Sequence, residues 1–359
     1  MPMVDQVTEQ VLSGEGAFRG TNQIYYIDAN NPNYDLRRSG ATDAIELVRA
    51  LEPQVTAYYS RAASYEELAS VVGQIADAIS FEYDNAALHP LIESLLEVGG
   101  WENGYELGRA AQDARDYIRD TVWHLLDKTP TVEHLGWLAA VCERHGAVVA
   151  SLNHDLVIEH AFEDFEVAYS DGFKDRRGDL IFWNDDFGDA RTRLLKLHGS
   201  ISWWGQFIPG EEWRGYVTAR SVGSDAYHPV DASGAIGGYP YDLRPILLTG
   251  TLDKILAYET WVLPDQHVRF YQALRQASRV VVVGYGFGDK AINTRLSQWL
   301  GRARDNRLIV AHGDPDSARQ RARPAISSKW PAWEAGGRLR IIDKWAADLD
   351  AKSIEDSLS

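Results

Sequence analysis

Val280-Val281-Val282-Val283-Gly284-Tyr285-Gly286-Phe287-Gly288-Asp289 is a β-branched apolar run closed at once by a glycine-rich turn. An apolar run this short, ended by turn chemistry, reads as a strand buried on both faces, the kind that parallel sheets use. Gly284, Gly286 and Gly288 remove side chains where the backbone must turn tightly or approach a ligand. Asp289 can cap a helix whose apolar side carries Ala291, Ile292, Leu296 and Leu300. Backbone N–H groups at such a helix start favour an anionic or ribose-phosphate ligand. The spacing is not GxGxxG, and a bare glycine turn serves a structural purpose as readily as a binding one.

Two earlier runs end in the same manner. Val148-Val149-Ala150-Ser151-Leu152 stops at Asn153-His154-Asp155, and Leu194-Leu195-Lys196-Leu197 stops at His198-Gly199-Ser200. In open α/β sheets the ligand sits outside the carboxyl ends of the strands. An amide, an imidazole and a glycine turn are therefore expected at one sheet edge. His198 alone would be an ordinary strand-end histidine; Gly199 beside it would leave room for a substrate, and imidazole suits a general base. Asn153 reads as a turn residue or, beside a histidine, as an amide that orients a water or a ribose hydroxyl. Asp155 reads as the cap of the following helix. His154 and His160 are six apart and do not share a helix face, so they make no metal pair. Trp203 and Trp204 read as core packing ahead of a stacking platform. GxSxG, P-loop and HExxH patterns are absent.

Composition narrows the class. The 359 residues are 45% hydrophobic, enough for a large core and against disorder. A formal charge of −16 argues against general binding to nucleic acid or an anionic membrane. The basic stretch from Arg319 to Arg323 reads as a solvated helix face. A single cysteine, Cys142, rules out a disulfide framework and a CxxC zinc site, and its apolar surroundings read as those of a small buried side chain. No apolar stretch reaches the ~20 residues that span a bilayer. A cytoplasmic protein is the expectation.

Helical spacing marks Met1 to Leu12, and Ser13-Gly14-Glu15-Gly16 breaks it. Thr21 to Ser39 reads as turn-rich, with Asn30-Asn31-Pro32-Asn33 as turns. From Ala41 to Gly146 the pattern is mostly helical, with a capping box at Ser64-Tyr65-Glu66-Glu67, a helix over Ala110–Leu126 and another over Thr131–His145. Alternation of strand and helix follows. Strands are predicted over Ala147–Leu152, Leu194–Leu197, Pro245–Thr249, Arg279–Val283, Leu308–His312 and Leu339–Ile342. Helices are predicted over Leu156–Ala161, Val268–Ala277 and Lys290–Leu300. The expected fold class is α/β, a Rossmann-like parallel sheet with helices on both faces and a helical insertion module. The whole chain, 1–359, reads as a single domain. A mostly helical module occupies 21–145, and a core at 146–345 carries insertions at about 162–193 and 201–244.

Taken in order, these clusters resemble the SIR2-like family, in particular its bacterial branch associated with anti-phage NAD depletion. The matching residues are Ser151-Leu152-Asn153-His154-Asp155 (family form Leu-Asn-Tyr-Asp), Lys196-Leu197-His198-Gly199-Ser200, Thr249-Gly250-Thr251, and Gly284 to Asp289 followed by Ile292-Asn293. Tyr65-Glu66-Glu67-Leu68 is similar to a segment of the family's helical insert. The resemblance implies NAD⁺ as ligand and substrate, with Asn153 and His198 as catalytic residues. It implies cofactor contacts at Asp155, Gly199, Thr249, Gly250, Gly284, Tyr285, Gly286, Asp289 and Asn293. The four-cysteine zinc ribbon of protein deacetylases is missing, so no zinc and no metal site are expected, and NAD⁺ hydrolysis is favoured over deacylation. A homo-oligomer, an ATPase or another defence-system partner is expected to regulate such an activity. A non-catalytic NAD or ADP-ribose binder, or a structural subunit, is the rival expectation. One departure bears on this. SIR2-like proteins begin with a strand and a Gly-Ala-Gly-x-Ser loop, whereas Met1 to Leu12 resembles the helix that would follow that loop. The expectation is a chain starting downstream of its true first residue, or a natural variant without the loop.

Overall fold

In the computed structural model the described residues are 4–19, 24–29, 39–80, 86–127, 131–222, 229–249 and 261–358. The chain divides into two compact units. The first comprises Met1–Thr129, Arg176–Phe182 and His198–Trp261, and the second Pro130–Asp175, Trp183–Leu197 and Val262–Ser359.

The first unit begins with α1 (Val4–Ser13), the antiparallel pair β1 (Glu15–Arg19) and β2 (Ile24–Asp28), and α2 (Ser39–Tyr59), which contains Pro53. Then come α3 (Tyr65–Ile79), α4 (His89–Val98) and α5 (Gly104–Leu126). The capping box at the start of α3 is complete: Glu67 N–H donates to Ser64 Oγ, and Ser64 N–H donates to the Glu67 carboxylate. Asn103 caps α5 by accepting from Glu106 N–H at 3.1 Å. The apolar stripes of these helices bury Leu47, Leu51, Leu68, Val72, Ile75, Leu107, Tyr117 and Ile118 in one core. The Asn-, Asp- and Tyr-rich stretch from Thr21 to Ser39 contributes β2. Asn30 to Asn33 lie outside the described residues.

The second unit starts with α6 (Gly136–His145), which a single 3₁₀ turn precedes, so the α-helix begins later than the sequence pattern suggests. It ends at Gly146, whose φ of +68° only glycine adopts without strain and whose missing Cβ makes room for the Arg191 carbonyl. Along the chain follow β3 (Val148–Ser151), α7 (Val157–Asp164), β4 (Tyr169–Ser170), β5 (Phe173–Arg177), β6 (Leu180–Trp183) and β7 (Thr192–Lys196). The excursion from 201 to 244 supplies β8 (Trp203–Phe207), β9 (Tyr216–Ser221) and β10 (Tyr239–Pro240) to the first unit. With β6 and β5, whose residues from Arg176 to Phe182 also belong to the first unit, they form a five-stranded sheet in the order β10-β8-β9-β6-β5, with β8 antiparallel to both β10 and β9. Trp203 and Trp204 are buried there, and Trp204 meets Trp123 of α5 edge-on at 5.5 Å.

The second unit resumes with α8 (Leu263–Gln276), β11 (Arg279–Val283), α9 (Lys290–Arg302) and β12 (Arg307–Ala311). It closes with α10 (Pro315–Arg321), α11 (Pro324–Ser327), α12 (Trp330–Ala335), β13 (Leu339–Ile342) and α13 (Ala351–Leu358). Its strands form two parallel three-stranded sheets, β3-β7-β4 and β11-β12-β13. Helices cover both faces of β11. Val280 and Val282 pack with Leu296 and Leu300 of α9, while Val281 and Val283 pack with Val141 of α6 and Ile354 of α13. The α/β class with a parallel, helix-flanked sheet is therefore what the chain adopts.

Two expectations are corrected. Pro245–Thr249 is not a strand of the parallel series: Leu247 makes one isolated antiparallel bridge, to Gly199, within the first unit. The runs at β3 and β11 are not sealed on every side either; Val148 is 44% exposed and every residue of β11 is half-buried. Both strands stand at the edge of their sheets, and in β3 Val148 and Ala150, which share one face, are both exposed.

Candidate functional site

The second unit carries two strand-to-helix connections with chemistry on them. β3 and β7 run parallel in register from Val148↔Arg193 to Ser151↔Lys196, and Leu197 N–H donates to the Ser151 carbonyl at 2.9 Å. Asn153 and His198 each follow a paired position by two residues. Asn153 is exposed, its N–H donating to Ser151 Oγ at 3.1 Å. Asp155 is buried and accepts from Val157 N–H at 2.9 Å, but the N-cap of α7 is Leu156, which makes no side-chain cap bond, so Asp155 stands one residue before the cap position expected of it.

The far flank of β7 is completed by side chains of α8. Lys196 N–H donates to Gln266 Oε1 at 3.1 Å, and the Leu197 carbonyl accepts from the His267 ring at 3.0 Å. The Lys196 side chain is itself buried. Its ammonium meets the Glu159 carboxylate at 3.1 Å and donates to the Asp155 carbonyl.

The glycine turn is held from behind. Tyr285 Oη accepts from Asp289 N–H and donates to Asn293 Oδ1, both at 3.0 Å, while Asn293 Nδ2 donates to the Phe287 carbonyl at 2.7 Å. Asn293 is fully buried, and both ends of its amide are engaged inside the turn. Arg323 adds a brace: its N–H reaches the Phe287 carbonyl and its Nε the Gly288 carbonyl at 2.6 Å. Phe287 adopts φ +54° and buries its ring edge-on against Trp330 at 5.5 Å, so packing holds a backbone conformation that a bulky residue disfavours.

The front of the same turn is bare. Gly284, Gly286 and Gly288 are exposed, and an added Cβ at any of them would meet no heavy atom within 4 Å. Asp289 already accepts from Ala291 N–H and Ile292 N–H at 2.8 and 3.0 Å. A carboxylate thus occupies the helix start where a phosphate was expected, and the turn suits hydroxyls and a ring face better than a second anion.

In the first unit, His198 is buried and its carbonyl accepts from Leu248 N–H at 2.8 Å. Gly199 adopts φ +86°, and a Cβ there would collide with the Ile246 carbonyl. Close backbone packing therefore explains this glycine without any substrate. Thr249 follows Leu248 and is half-buried; Gly250 and Thr251 lie outside the described residues.

Cys142 is buried, and burial pushes its thiol up to about 11 against the weaker pull of Thr192, so a thiolate nucleophile is disfavoured. Among the described residues, no cluster of three or more His, Cys, Asp or Glu is placed to hold a metal ion, and no helix is long and apolar enough to cross a membrane.

No local pattern assigns a site role to Lys196, Glu159, Gln266, His267 or Arg323. Only Lys196 left a visible signal, a cation inside a run otherwise read as buried strand.

One family model, described as a SIR2-like domain, matches residues 147–334, more than half of the chain. No curated protein matches it. SIR2-like domains use NAD, and the family's members are generally NAD-dependent enzymes.

Proposed function

Since this chain belongs to the SIR2-like family, we propose that it cleaves the nicotinamide–ribose bond of NAD⁺. Nicotinamide leaves with the bonding electron pair, positive charge develops at the ribose anomeric carbon, and water adds there. The products are nicotinamide, ADP-ribose and one proton. Such a reaction needs a fixed sugar and a water held at the reacting carbon more than it needs a strong nucleophile. In this reading Asn153 orients that water or the ribose hydroxyls, and His198 accepts the proton. The bare front of the glycine turn takes the adenosine half, with Asp289 able to accept from a ribose hydroxyl.

The observation that carries the reading is the parallel pairing of β3 with β7, from whose carboxyl ends Asn153 and His198 follow in the chain. The bare glycine turn, on a strand of the same unit, supports a nucleotide as the ligand. The resemblance extends the proposal to its setting: regulated NAD⁺ depletion in the cytoplasm as part of anti-phage defence, restrained by self-assembly or by an ATPase partner.

Calorimetry with NAD⁺ beside a nicotinamide-release assay tests this. The parent chain is expected to bind and to turn over. Asn153→Ala and His198→Ala, with unchanged circular dichroism, are expected to slow release by about 10² to 10⁴. Binding without release, or His198→Ala as fast as the parent, ends the proposal. Release that requires an acylated peptide would move the assignment to a deacylase.

A further inference from the structure

Lys196 lies within the apolar run of β7, and its side chain is 2% exposed. An ammonium in that place is costly unless it is paired and hydrogen-bonded. The Glu159 carboxylate of α7, at 3.1 Å, balances the charge. The second partner, the main-chain carbonyl of Asp155, does nothing for charge balance. It lies two residues beyond Asn153, on the connection that presents the asparagine. At the near end of that connection Ser151 Oγ holds Asn153 N–H, and at the far end the Asp155 carboxylate holds Val157 N–H. The lysine's own backbone is fixed by Gln266. An exposed amide therefore sits on a short segment tied on both sides to buried groups.

We propose that Lys196 is a positioning residue for Asn153: its ammonium, neutralised by Glu159, locks the β3–α7 connection so that the carboxamide stands in one orientation toward the substrate. This rests on the nucleosidase reading and adds to it a residue that does not touch NAD⁺. A lysine serving only to satisfy Glu159 predicts something different. Replacing both members of a buried pair by apolar side chains of similar volume removes the charge penalty, yet leaves the Asp155 carbonyl without its clamp.

The experiment compares the parent chain with Lys196→Met and with the double variant Lys196→Met/Glu159→Met. Each is measured for thermal stability, amide hydrogen exchange over residues 152–157, and kcat and KM for nicotinamide release. The single variant is expected to lose stability. The double variant is expected to regain it, while its 152–157 amides exchange faster than in the parent. Its kcat is expected to fall by about 10²-fold, the cost of a misplaced group, with KM little changed. A double variant with parental exchange and parental kcat overturns the proposal. A parent chain that releases no nicotinamide overturns the nucleosidase reading instead, and the exchange data then decide by themselves whether the lysine holds the connection.

Discussion

The connection from β3 to α7 and the connection from β11 to α9 both leave the carboxyl end of a parallel strand, and in both an aspartate accepts from a main-chain N–H of the helix's first turn. Beyond that they differ. The first is clamped by a buried cation, Lys196, whose charge is met by Glu159 and whose extra bond falls on a main-chain carbonyl. The second is braced by the Tyr285 hydroxyl, the Asn293 amide and Arg323, all applied from behind, and its three glycines face open space. On the proposed function, the loop that presents Asn153 is fixed by a buried, charged hydrogen bond, and the loop that would receive the ligand is fixed by groups that keep clear of its front.

The contrast can be broken most severely at Lys196. Lys196→Met strands the Glu159 carboxylate in the interior, and chemical denaturation should register a loss of about 3–5 kcal/mol, the usual cost of removing one partner of a buried pair. The equivalent change in the glycine turn should cost less, because no charge is left behind. Asn293→Ala removes one bond to the Phe287 carbonyl and one from Tyr285, and about 1–3 kcal/mol should be lost, with faster amide exchange confined to 285–289. If Asn293→Ala proves as damaging as Lys196→Met, the distinction between an ionic clamp and a neutral brace falls.

The glycines sharpen the comparison further. Gly284 holds φ +64°, so Gly284→Ala should cost about 1–2 kcal/mol in thermal unfolding although its Cβ meets nothing. Gly286 has no such backbone demand. Gly286→Ala should leave stability within about 0.5 kcal/mol of the parent and still weaken NAD⁺ in calorimetry, because the new methyl enters the space reserved for the ligand. Unaltered NAD⁺ affinity in Gly286→Ala would mean that the bare front of the turn is not where the dinucleotide lies.

Much of the fold was legible because strand and helix patterns are local. The valines of β11 end at Gly284, the capping box of α3 needs only Ser64 and Glu67, and Asp289 caps the helix it precedes. Pro245–Thr249 misled the reading because an apolar stretch carries no record of its partner; here that partner is Gly199, antiparallel. Gly199 has a structural reason that local spacing does not carry. Its missing side chain makes room for the Ile246 carbonyl, a neighbour about fifty residues away that no local pattern announces.

The amino-acid order alone determined the alternation of strands and helices in the second unit, the punctuation of its loops and the resemblance to one family. Those are properties of spacing and residue type within a dozen positions. Only the tertiary structure decided that the ammonium of Lys196, its charge met by Glu159, also bonds the Asp155 carbonyl, that both ends of the Asn293 amide are engaged inside the glycine turn, and that Asp289 fills its own helix start. Each of those outcomes depends on which distant groups lie within hydrogen-bond reach once the chain is folded, and burial makes every such pairing obligatory.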